Sequence, residues 1–372
     1  MDTIQNKLAR LAAAFALPGT ITAVEVIGNG NINKTYDVTL QSSDGTSRYI
    51  FQQVNTFVFR NPAQMMDNIA RVTAHIGAKL ASEGGDRDGV MHYFARPDGA
   101  YLTYEGEECW RACEFVPNSL AINGSSDPAL LRAAGRAFGH FQNQLSDFDA
   151  ASLYETIPGF HDTKRRYATL IAHIAEDPCG RVAGVKQEID EVLALQADAE
   201  LLCEMLQQGK LPLRVTHNDT KINNVLFDAE THKEKTVIDL DTVMPGLVAY
   251  DFGDAIRFAA NTTAEDDPDL SHVGLDLDRF TAFAQGFVPT LADKLTPTEL
   301  DTLAHGAFAI TMEQTVRFLD DYLVGDTYFK LLYPEHNLVR TRNQLALAKD
   351  MLAHIDQMRR IVLDIAAREE HS

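Results

Sequence analysis

The order of the predicted strands and helices constrains the fold of this 372-residue chain more than any other feature. Five short segments are β-branched or alternating and predict strands: 21–27, 36–40, 48–54, 101–104 and 110–116. One long segment between them, residues 63–80, places apolar side chains at helical spacing. An amphipathic helix is expected ahead of the first strand. The pattern predicts a small, mostly antiparallel α+β lobe over residues 1–117.

The rest of the chain, residues 118–372, is predicted to be a large helical lobe. Helical periodicity covers residues 130–145, 161–175, 186–208, 298–323 and 342–367. One β-hairpin, with strands at residues 224–228 and 236–239, interrupts the helices. A small sheet lobe followed by a large helical lobe with one hairpin is the outline of the bilobal protein-kinase-like fold. An outline of this kind says little about function by itself.

Charge excludes two classes of partner. Lysine and arginine number 33 against 53 aspartate and glutamate residues, which gives a formal net charge of -20. Such a surface repels the phosphates of nucleic acids and anionic membranes, so we expect neither as a partner. An anionic ligand would need local cations to offset this field.

The cysteines and the N-terminus bear on location. Cys109, Cys113, Cys179 and Cys203 lack the spacing of a zinc site. We therefore expect free, buried thiols and a cytoplasmic protein, since thiols stay reduced there. Arg10 interrupts the apolar stretch near the N-terminus, which favours an opening helix over a signal peptide. A monomer is the default expectation.

The residues that carry chemistry begin with His217-Asn218-Asp219 and end with Asn224. Their spacing, H-x-D-x-x-x-x-N, is that of a kinase catalytic loop. There the aspartate accepts the proton of the attacking hydroxyl and the asparagine holds Mg²⁺. A polar turn after a strand is the alternative, because Asn and Asp are common turn formers.

Asp239 strengthens the kinase interpretation. It ends an apolar strand, and the hairpin brings it back beside the catalytic loop. A buried carboxylate needs a partner, and oxygen ligands suit a hard cation. We therefore predict that Asn224 and Asp239 hold Mg²⁺ and that their oxygens converge with those of Asp219. Asp241 is open: it is a second metal contact, or a solvated or capping residue.

Asp251-Phe252-Gly253 spells a triplet that binds the metal in protein kinases. Asp251 lies beyond the hairpin, however, and Asp239 fills the metal position better. We expect Asp251 to be structural and to accept hydrogen bonds from the catalytic loop.

These motifs resemble the aminoglycoside phosphotransferase superfamily, and more closely its N-acetylhexosamine 1-kinase branch. The similarity to the branch runs through residues 28–36, 138–142, 160–163, 214–221, 238–242, 251–254 and 333–342. The resemblance implies a protein-kinase-like fold, with residues 1–117 covering the nucleotide and residues 118–372 holding the catalytic and sugar-binding groups. It implies ATP and Mg²⁺ as cofactors, and phosphorylation of the anomeric hydroxyl of N-acetylglucosamine or N-acetylgalactosamine.

The resemblance also assigns residues to the nucleotide. Residues 28–36 would be the loop over the phosphates, with contacts from Gly28, Gly30, Asn33 and Thr35; an ordinary hairpin turn is the alternative. On the third strand Gln52 stands where kinases place a lysine. Glutamine can bond phosphate but adds no charge, which leaves more of the neutralisation to Mg²⁺. Backbone groups at a hinge ending the lobe would grip adenine, at Glu114 and Val116.

On the acceptor side, the resemblance places Asp219, Phe258, Arg317 and Tyr328 against the sugar or its phosphate, with ordinary helix packing as the alternative. Asn31 replaces a histidine common among relatives, which leaves the identity of the sugar open.

Two other functions remain open from the sequence. The acceptor could be choline, homoserine, an aminoglycoside or another hexose, and an acceptor screen would separate these. The chain could also be a catalytically silent kinase-like binding protein, supported only by the absent lysine. The presence of His217, Asp219, Asn224 and Asp239 argues against the silent form.

Overall fold

Five strands near the N-terminus form one antiparallel sheet. The computed structural model describes residues 3–28, 32–84 and 89–369. The strands are β1 (Thr20–Ile27), β2 (Lys34–Ser42), β3 (Gly45–Val54), β4 (Thr103–Glu105) and β5 (Glu108–Glu114). They lie in the order β1-β2-β3-β5-β4, and each neighbouring pair is antiparallel. The register sets Gln52 of β3 directly opposite Arg111 of β5.

One face of this sheet is covered by the opening helix, α1 (Ile4–Ala14). Thr3 caps its first turn by accepting a hydrogen bond from the backbone of Asn6. The buried Leu8 and Leu11 of the helix belong to one apolar cluster with Phe51 and Trp110 of the sheet. The cluster gives the small sheet a core of its own.

Helix α2 (Pro62–Ser82) ties the sheet region to the rest of the chain. Asn61 caps it and proline stands in its first turn, where no N–H is required. Asn68, fully buried, donates hydrogen bonds to the carbonyl oxygens of Tyr154 (2.8 Å) and Val243 (3.0 Å). The helix is therefore fixed to the segment that follows the predicted metal-binding aspartate.

The β-elements of the helical part frame the catalytic loop. Strands β6 (Ser119–Ala121), β8 (Val225–Asp228) and β9 (Glu234–Val237) form a three-stranded sheet. Strands β7 (Arg214–Thr216) and β10 (Met244–Gly246) form a separate antiparallel pair. The catalytic loop leaves β7 and enters β8, so both ends of the loop are held by strands.

The remaining elements are helices. They are α3 (Pro128–Gln144), α4 (Thr163–Glu176), α5 (Lys186–Ala194), α6 (Gln196–Gln207), α7 (Val248–Ala259), α8 (Leu277–Phe287), α9 (Pro297–Leu323), α10 (His336–Ala353) and α11 (Ile355–Glu369). Across the three described ranges, none of the helices is both long and apolar enough to cross a membrane.

Helix α9 is the axis of the helical part, and α7 packs directly on it. Thr296 and Glu299 form a capping box at its start, with Pro297 in the first turn. Where α7 and α9 meet, a Cβ on Gly253 would lie 2.3 Å from the carbonyl oxygen of Gly306. A Cβ on Gly306 would lie 1.9 Å from the carbonyl oxygen of Ala249. The two backbones approach this closely only because both residues lack a side chain.

The structure confirms the predicted α+β class and corrects several elements. The segment predicted as one helix over residues 186–208 is two helices, α5 and α6, separated at Leu195. The last predicted helix, residues 342–367, begins earlier and divides at His354 into α10 and α11. Helices α7 and α8 were not predicted; the polar face of α7, formed by Asp251, Asp254 and Arg257, is buried like the rest of the helix instead of facing solvent. Cys179 is exposed, contrary to the expectation of buried thiols.

The contact between α7 and α9 yields a stability prediction. We expect Gly306→Ala to lower the free energy of unfolding by about 1–3 kcal/mol, because backbone atoms must move to admit the methyl group. Urea denaturation measures this change. Gly184→Ala is the matched control: its Cβ would meet no heavy atom within 4 Å. Equal stability of the two variants would contradict the close approach.

Candidate active site

The backbone of the catalytic loop is held by Asp251, which lies in the first turn of α7. Its Oδ2 accepts the N–H of His217 at 2.8 Å, and its Oδ1 accepts the N–H of Asn218 at 2.7 Å. The amide of Gln142 also donates to Oδ2. Asn218 has φ 64°, a left-handed conformation that needs such support. The predicted structural role of Asp251 is confirmed by these bonds.

His217 joins the catalytic loop to the loop that carries Asp239. Its Nδ1 accepts the N–H of Asp219 at 3.2 Å, so the proton lies on Nε2, which donates to the carbonyl of Ile238 at 2.9 Å. The ring is fully buried and packs edge-on against Phe138 and Phe141. His217 thus links the two loops through hydrogen bonds at both ring nitrogens.

Asp219 is reachable from solvent, with 26% of its side chain exposed. Lys221 Nζ lies 2.8 Å from its Oδ1, and Asn224 Nδ2 donates to its Oδ2 at 3.1 Å. Burial alone would raise the pKa of Asp219, but the ammonium of Lys221 and the Asn224 amide hold it below its usual value. An ionised carboxylate held by two neighbours can accept a proton from a bound hydroxyl.

Asn224 and Asp239 both offer oxygen atoms to a cation. The Nδ2 group of Asn224 donates hydrogen bonds to the backbone carbonyl of Asp219, at 2.8 Å, and to its carboxylate. The Oδ1 atom of Asn224 is therefore left for another partner. Asp239 adopts φ 59° and is an exposed residue. Desolvation by the surrounding protein, together with the charges of Asp241 and Asp219, raises its pKa to about 6. Crowded carboxylates of this kind favour a bound cation. The oxygen donors fit Mg²⁺.

Asn224 and Asp239 would supply only part of the coordination shell of Mg²⁺. Among residues 3–28, 32–84 and 89–369, no three or more His, Cys, Asp or Glu side chains group as a metal site. Magnesium commonly takes only one or two protein carboxylates, and phosphate oxygens and water complete its shell.

Asp241 is neither solvated nor a capping residue. Its side chain is 3% exposed and pairs with the guanidinium of Arg111, which is 1% exposed. Asn33 Nδ2 donates to its Oδ2 at 2.6 Å, and Asn33 Oδ1 accepts the N–H of Asn55 at 2.9 Å. Asn33, predicted to contact the nucleotide, therefore connects the start of β2 to the Asp239 loop.

Gln52 is oriented by Arg111. The Nε of Arg111 donates to Gln52 Oε1 at 2.9 Å, and Gln52 Nε2 donates to Thr35 Oγ1 at 3.2 Å. Thr35 and Gln52, both predicted to contact the nucleotide, lie opposite each other on β2 and β3. The strand position that lacks a lysine is thus bonded to a buried arginine.

The phosphate-covering loop is described only in part. Gly28 has φ 62°, which glycine adopts readily. Gly30 and Asn31 lie outside the described residues. Their predicted contacts with nucleotide and acceptor stay predictions.

At the predicted hinge, Glu114 is engaged with residue 92. Its N–H donates to the carbonyl of His92 at 2.9 Å, and its Oε1 accepts the N–H of His92 at 2.7 Å. The carbonyl of Val116 accepts the hydroxyl of Ser119 at 2.7 Å. The N–H of Glu114 is therefore engaged within the protein, and adenine contacts at Glu114 and Val116 stay predictions.

The predicted acceptor residues form two groups. Phe258 lies 5.2 Å from Lys221 Nζ and stacks on the guanidinium of Arg257 at 3.9 Å, beside the catalytic loop. Phe258 also lines a cavity of about 500 Å³. Arg317 lies over the ring of Tyr328, 5.8 Å from its centre. Each contact is compatible with packing as well as with a ligand.

A model of the phosphotransferase enzyme family, APH, matches residues 23–283, well over half of the chain. The chain belongs to the phosphotransferase enzyme family. Its fold agrees with solved kinases and phosphotransferases of low sequence identity.

Three solved structures illustrate the likeness. The microcompartment-associated aminopropanol kinase is 15% identical, with a TM-score of 0.61 over 95% of this chain and 98% of its own. Spectinomycin phosphotransferase, APH(9)-Ia, in complex with ADP and spectinomycin, is 13% identical, with 0.54 over 93% and 98%. The choline kinase LicA from Streptococcus pneumoniae is 12% identical, with 0.54 over 94% and 100%. At these identities the likeness shows the protein-kinase-like fold. The chain is thus a phosphotransferase enzyme with that fold.

Sequence reasoning missed Arg111. Its strand was predicted over residues 110–116, but Arg111 was not among the predicted site residues. An arginine between the apolar residues Trp110 and Ala112 was the available signal, because a buried cation needs a partner. That the partner is Asp241, far along the chain, follows only from the fold.

For the family member's predicted base, we expect Asp219→Asn to lower kcat by at least about a hundredfold, within the ~10²–10⁴ range for general-base removal. Nucleotide binding should be retained, because the loop backbone stays in place. Steady-state kinetics and ADP titration measure both. Asp293→Asn, with 67% of its side chain exposed, is the matched control. Normal turnover in Asp219→Asn would refute the base assignment.

Asp251→Ala should destabilise the phosphotransferase by about 3 kcal/mol or more, since three buried donors lose their acceptor and each costs ~1–3 kcal/mol. Thermal unfolding measures the loss. Asp190→Ala, which removes an exposed carboxylate paired with Lys186, is the control. Similar melting temperatures for the two variants would show that the loop does not depend on Asp251.

Proposed function

We propose that this phosphotransferase transfers the γ-phosphate of ATP to the anomeric hydroxyl of an N-acetylhexosamine, N-acetylglucosamine or N-acetylgalactosamine, with Mg²⁺ as cofactor. The observation that carries the proposal is the bonded set around Asp219. Asn224 donates a hydrogen bond to the carboxylate of Asp219. Desolvation and the charges of Asp241 and Asp219 raise the pKa of Asp239. Asp219 thus interacts with both predicted metal-binding residues, Asn224 and Asp239.

Transfer requires one proton acceptor and no covalent enzyme intermediate. The sugar C1 hydroxyl oxygen forms a bond to the γ-phosphorus as the bond from that phosphorus to the β–γ bridging oxygen breaks. The hydroxyl proton passes to the carboxylate of Asp219, and ADP leaves. An anomeric hydroxyl is more acidic than an ordinary alcohol, so a weak carboxylate base suffices. Catalysis then rests on positioning and charge.

The remaining residues bind and orient. Asn224 Oδ1 and the Asp239 carboxylate would hold Mg²⁺, which when bound neutralises charge on the β- and γ-phosphates. Lys221, paired with Asp219, keeps the base ionised. Gly28, Asn33, Thr35 and Gln52 would contact the nucleotide from the sheet side. ADP in the complex of spectinomycin phosphotransferase supports a nucleotide in this fold.

Charged groups of both signs surround the predicted acceptor residue Arg317. Arg317 contacts Tyr328 and Phe329. Burial and the charge of Arg317 lower the pKa of Arg166, which shows that the two guanidinium groups lie near each other. Glu313, buried and bonded to His161 and Thr163, offsets one of them. Asp320 also lies near Arg166, and Asp321 accepts the N–H of Tyr328 at 2.8 Å, so the region carries charges of both signs.

The decisive test is an acceptor panel with ATP and Mg²⁺. We expect ADP release with N-acetylglucosamine or N-acetylgalactosamine, and NMR of the product should locate the phosphate at C1. Asp219→Asn serves as the inactive control. Phosphate at C6 would overturn the anomeric assignment. Turnover only with choline, homoserine or an aminoglycoside would overturn the sugar.

A further inference from the structure

An ion pair lies buried between the sheet and the loop that carries Asp239. Arg111, in the middle of β5, is 1% exposed, and Asp241 is 3% exposed. Burial alone would lower the pKa of Arg111, but Asp241 raises it, so the guanidinium stays charged. A buried ion pair seldom adds net stability, because desolvation of both groups offsets their attraction. Its presence calls for another reason.

Both partners of the pair are bonded to residues predicted to face the nucleotide. Arg111 donates to Gln52 Oε1 at 2.9 Å, and Asn33 donates to Asp241 Oδ2 at 2.6 Å. A glutamine amide has one acceptor oxygen and one donor NH₂. With Oε1 bound by Arg111, the NH₂ group must point the other way, and it donates to Thr35.

Position 52 is where kinases of this fold class place a lysine for the α- and β-phosphates. Gln52 carries no charge, but it lies directly opposite Arg111 in the sheet. The positive charge nearest to position 52 in this strand pair is therefore that of Arg111, on the neighbouring strand β5. The Nη2 of Arg111 is buried without a hydrogen-bond partner, and the guanidinium also lies 5.4 Å from the centre of the Tyr93 ring. The hydrogen-bonding capacity of Arg111 is therefore not fully used by its contacts within the protein.

We propose that Arg111 is a positioning residue that replaces the missing strand lysine. It supplies the cationic field for the phosphates of a nucleoside diphosphate or triphosphate, and it fixes the Gln52 amide with its donors toward them. Through Asp241 it also holds the neighbouring Asp239 loop against the sheet. Arg111 itself does not touch the nucleotide. The inference rests on the proposed use of ATP, and it is independent of the acceptor.

The test measures ADP binding in EDTA, so that neither the metal nor the acceptor contributes. Arg111→Met alone leaves Asp241 buried and unpaired, which can prevent folding. The comparison is therefore between the wild type, whose ion pair is intact, and Asp241→Asn/Arg111→Met, in which no buried charge is left unpaired at this place. We expect the double variant to bind ADP at least about tenfold more weakly than the wild type at similar melting temperature. Arg359→Met, an exposed arginine on α11, removes the same charge and should bind normally.

A rescue variant separates the effect of Arg111 on the phosphates from its role in holding the Asp239 loop against the sheet. Gln52→Lys/Arg111→Met returns a cation to β3, within the same strand pair and near Asp241, and should recover ADP affinity to within about threefold of the wild type. Gln52→Leu leaves the ion pair between Arg111 and Asp241 intact. It should weaken ADP binding about tenfold, because the amide that connects Arg111 to the phosphates is removed. Two results would each overturn the proposal: equal ADP affinity in the wild type and the Asp241→Asn/Arg111→Met variant, or undiminished affinity in Gln52→Leu. A wrong acceptor assignment would instead appear as absent sugar phosphorylation, with these affinities unaffected.

Discussion

Asp251 receives the backbone N–H groups of His217 and Asn218 on its two carboxylate oxygens, and this contact sets where the catalytic loop lies. Burial raises the pKa of Asp251, so the carboxylate depends on those donors, just as the left-handed Asn218 depends on the carboxylate. Asp251 in turn lies on α7, whose backbone touches α9 at Gly253. The position of Asp219 is therefore decided by helix packing in the core.

The catalytic loop is also hydrogen-bonded to the loop that carries Asp239, so the two loops are held together. His217 bonds to the carbonyl of Ile238 at 2.9 Å, and the hydroxyl of Thr242 donates to the carbonyl of His217 at 2.6 Å. These bonds bring Asp239 beside Asp219 in a protein whose net charge is already -20. Crowding two carboxylates is costly unless cations are near. Lys221 and Arg111 supply that charge locally, and a bound cation would complete it.

Sequence alone could predict the local parts of this arrangement. The alternation of β1 to β3, the hairpin after Asn224 and the spacing from His217 to Asn224 depend on neighbours along the chain, and the structure contains the predicted strands and hairpin. The role of Asp251 followed from elimination. The ion pair between Arg111 and Asp241 could not be predicted, because its partners are 130 residues apart and meet only when β5 packs against the Asp239 loop. Helix α7 was missed for a related reason: its polar residues Asp251, Asp254 and Arg257 are buried against other parts of the fold, so they do not mark a solvent-facing side.

The arginine changes how a missing lysine should be interpreted in this fold. A lysine on β3 would carry its charge on a flexible chain and could lose its proton when buried, whereas a guanidinium stays charged and can bond two groups at once. Arg111 uses that fork to bond Gln52 on one side and Asp241 on the other. The cost is a buried cation that contributes little stability by itself. A chain that retains such a pair beside Asp239 keeps positive charge next to the phosphate side of the site, so the neutral residue at position 52 is no argument for a silent enzyme.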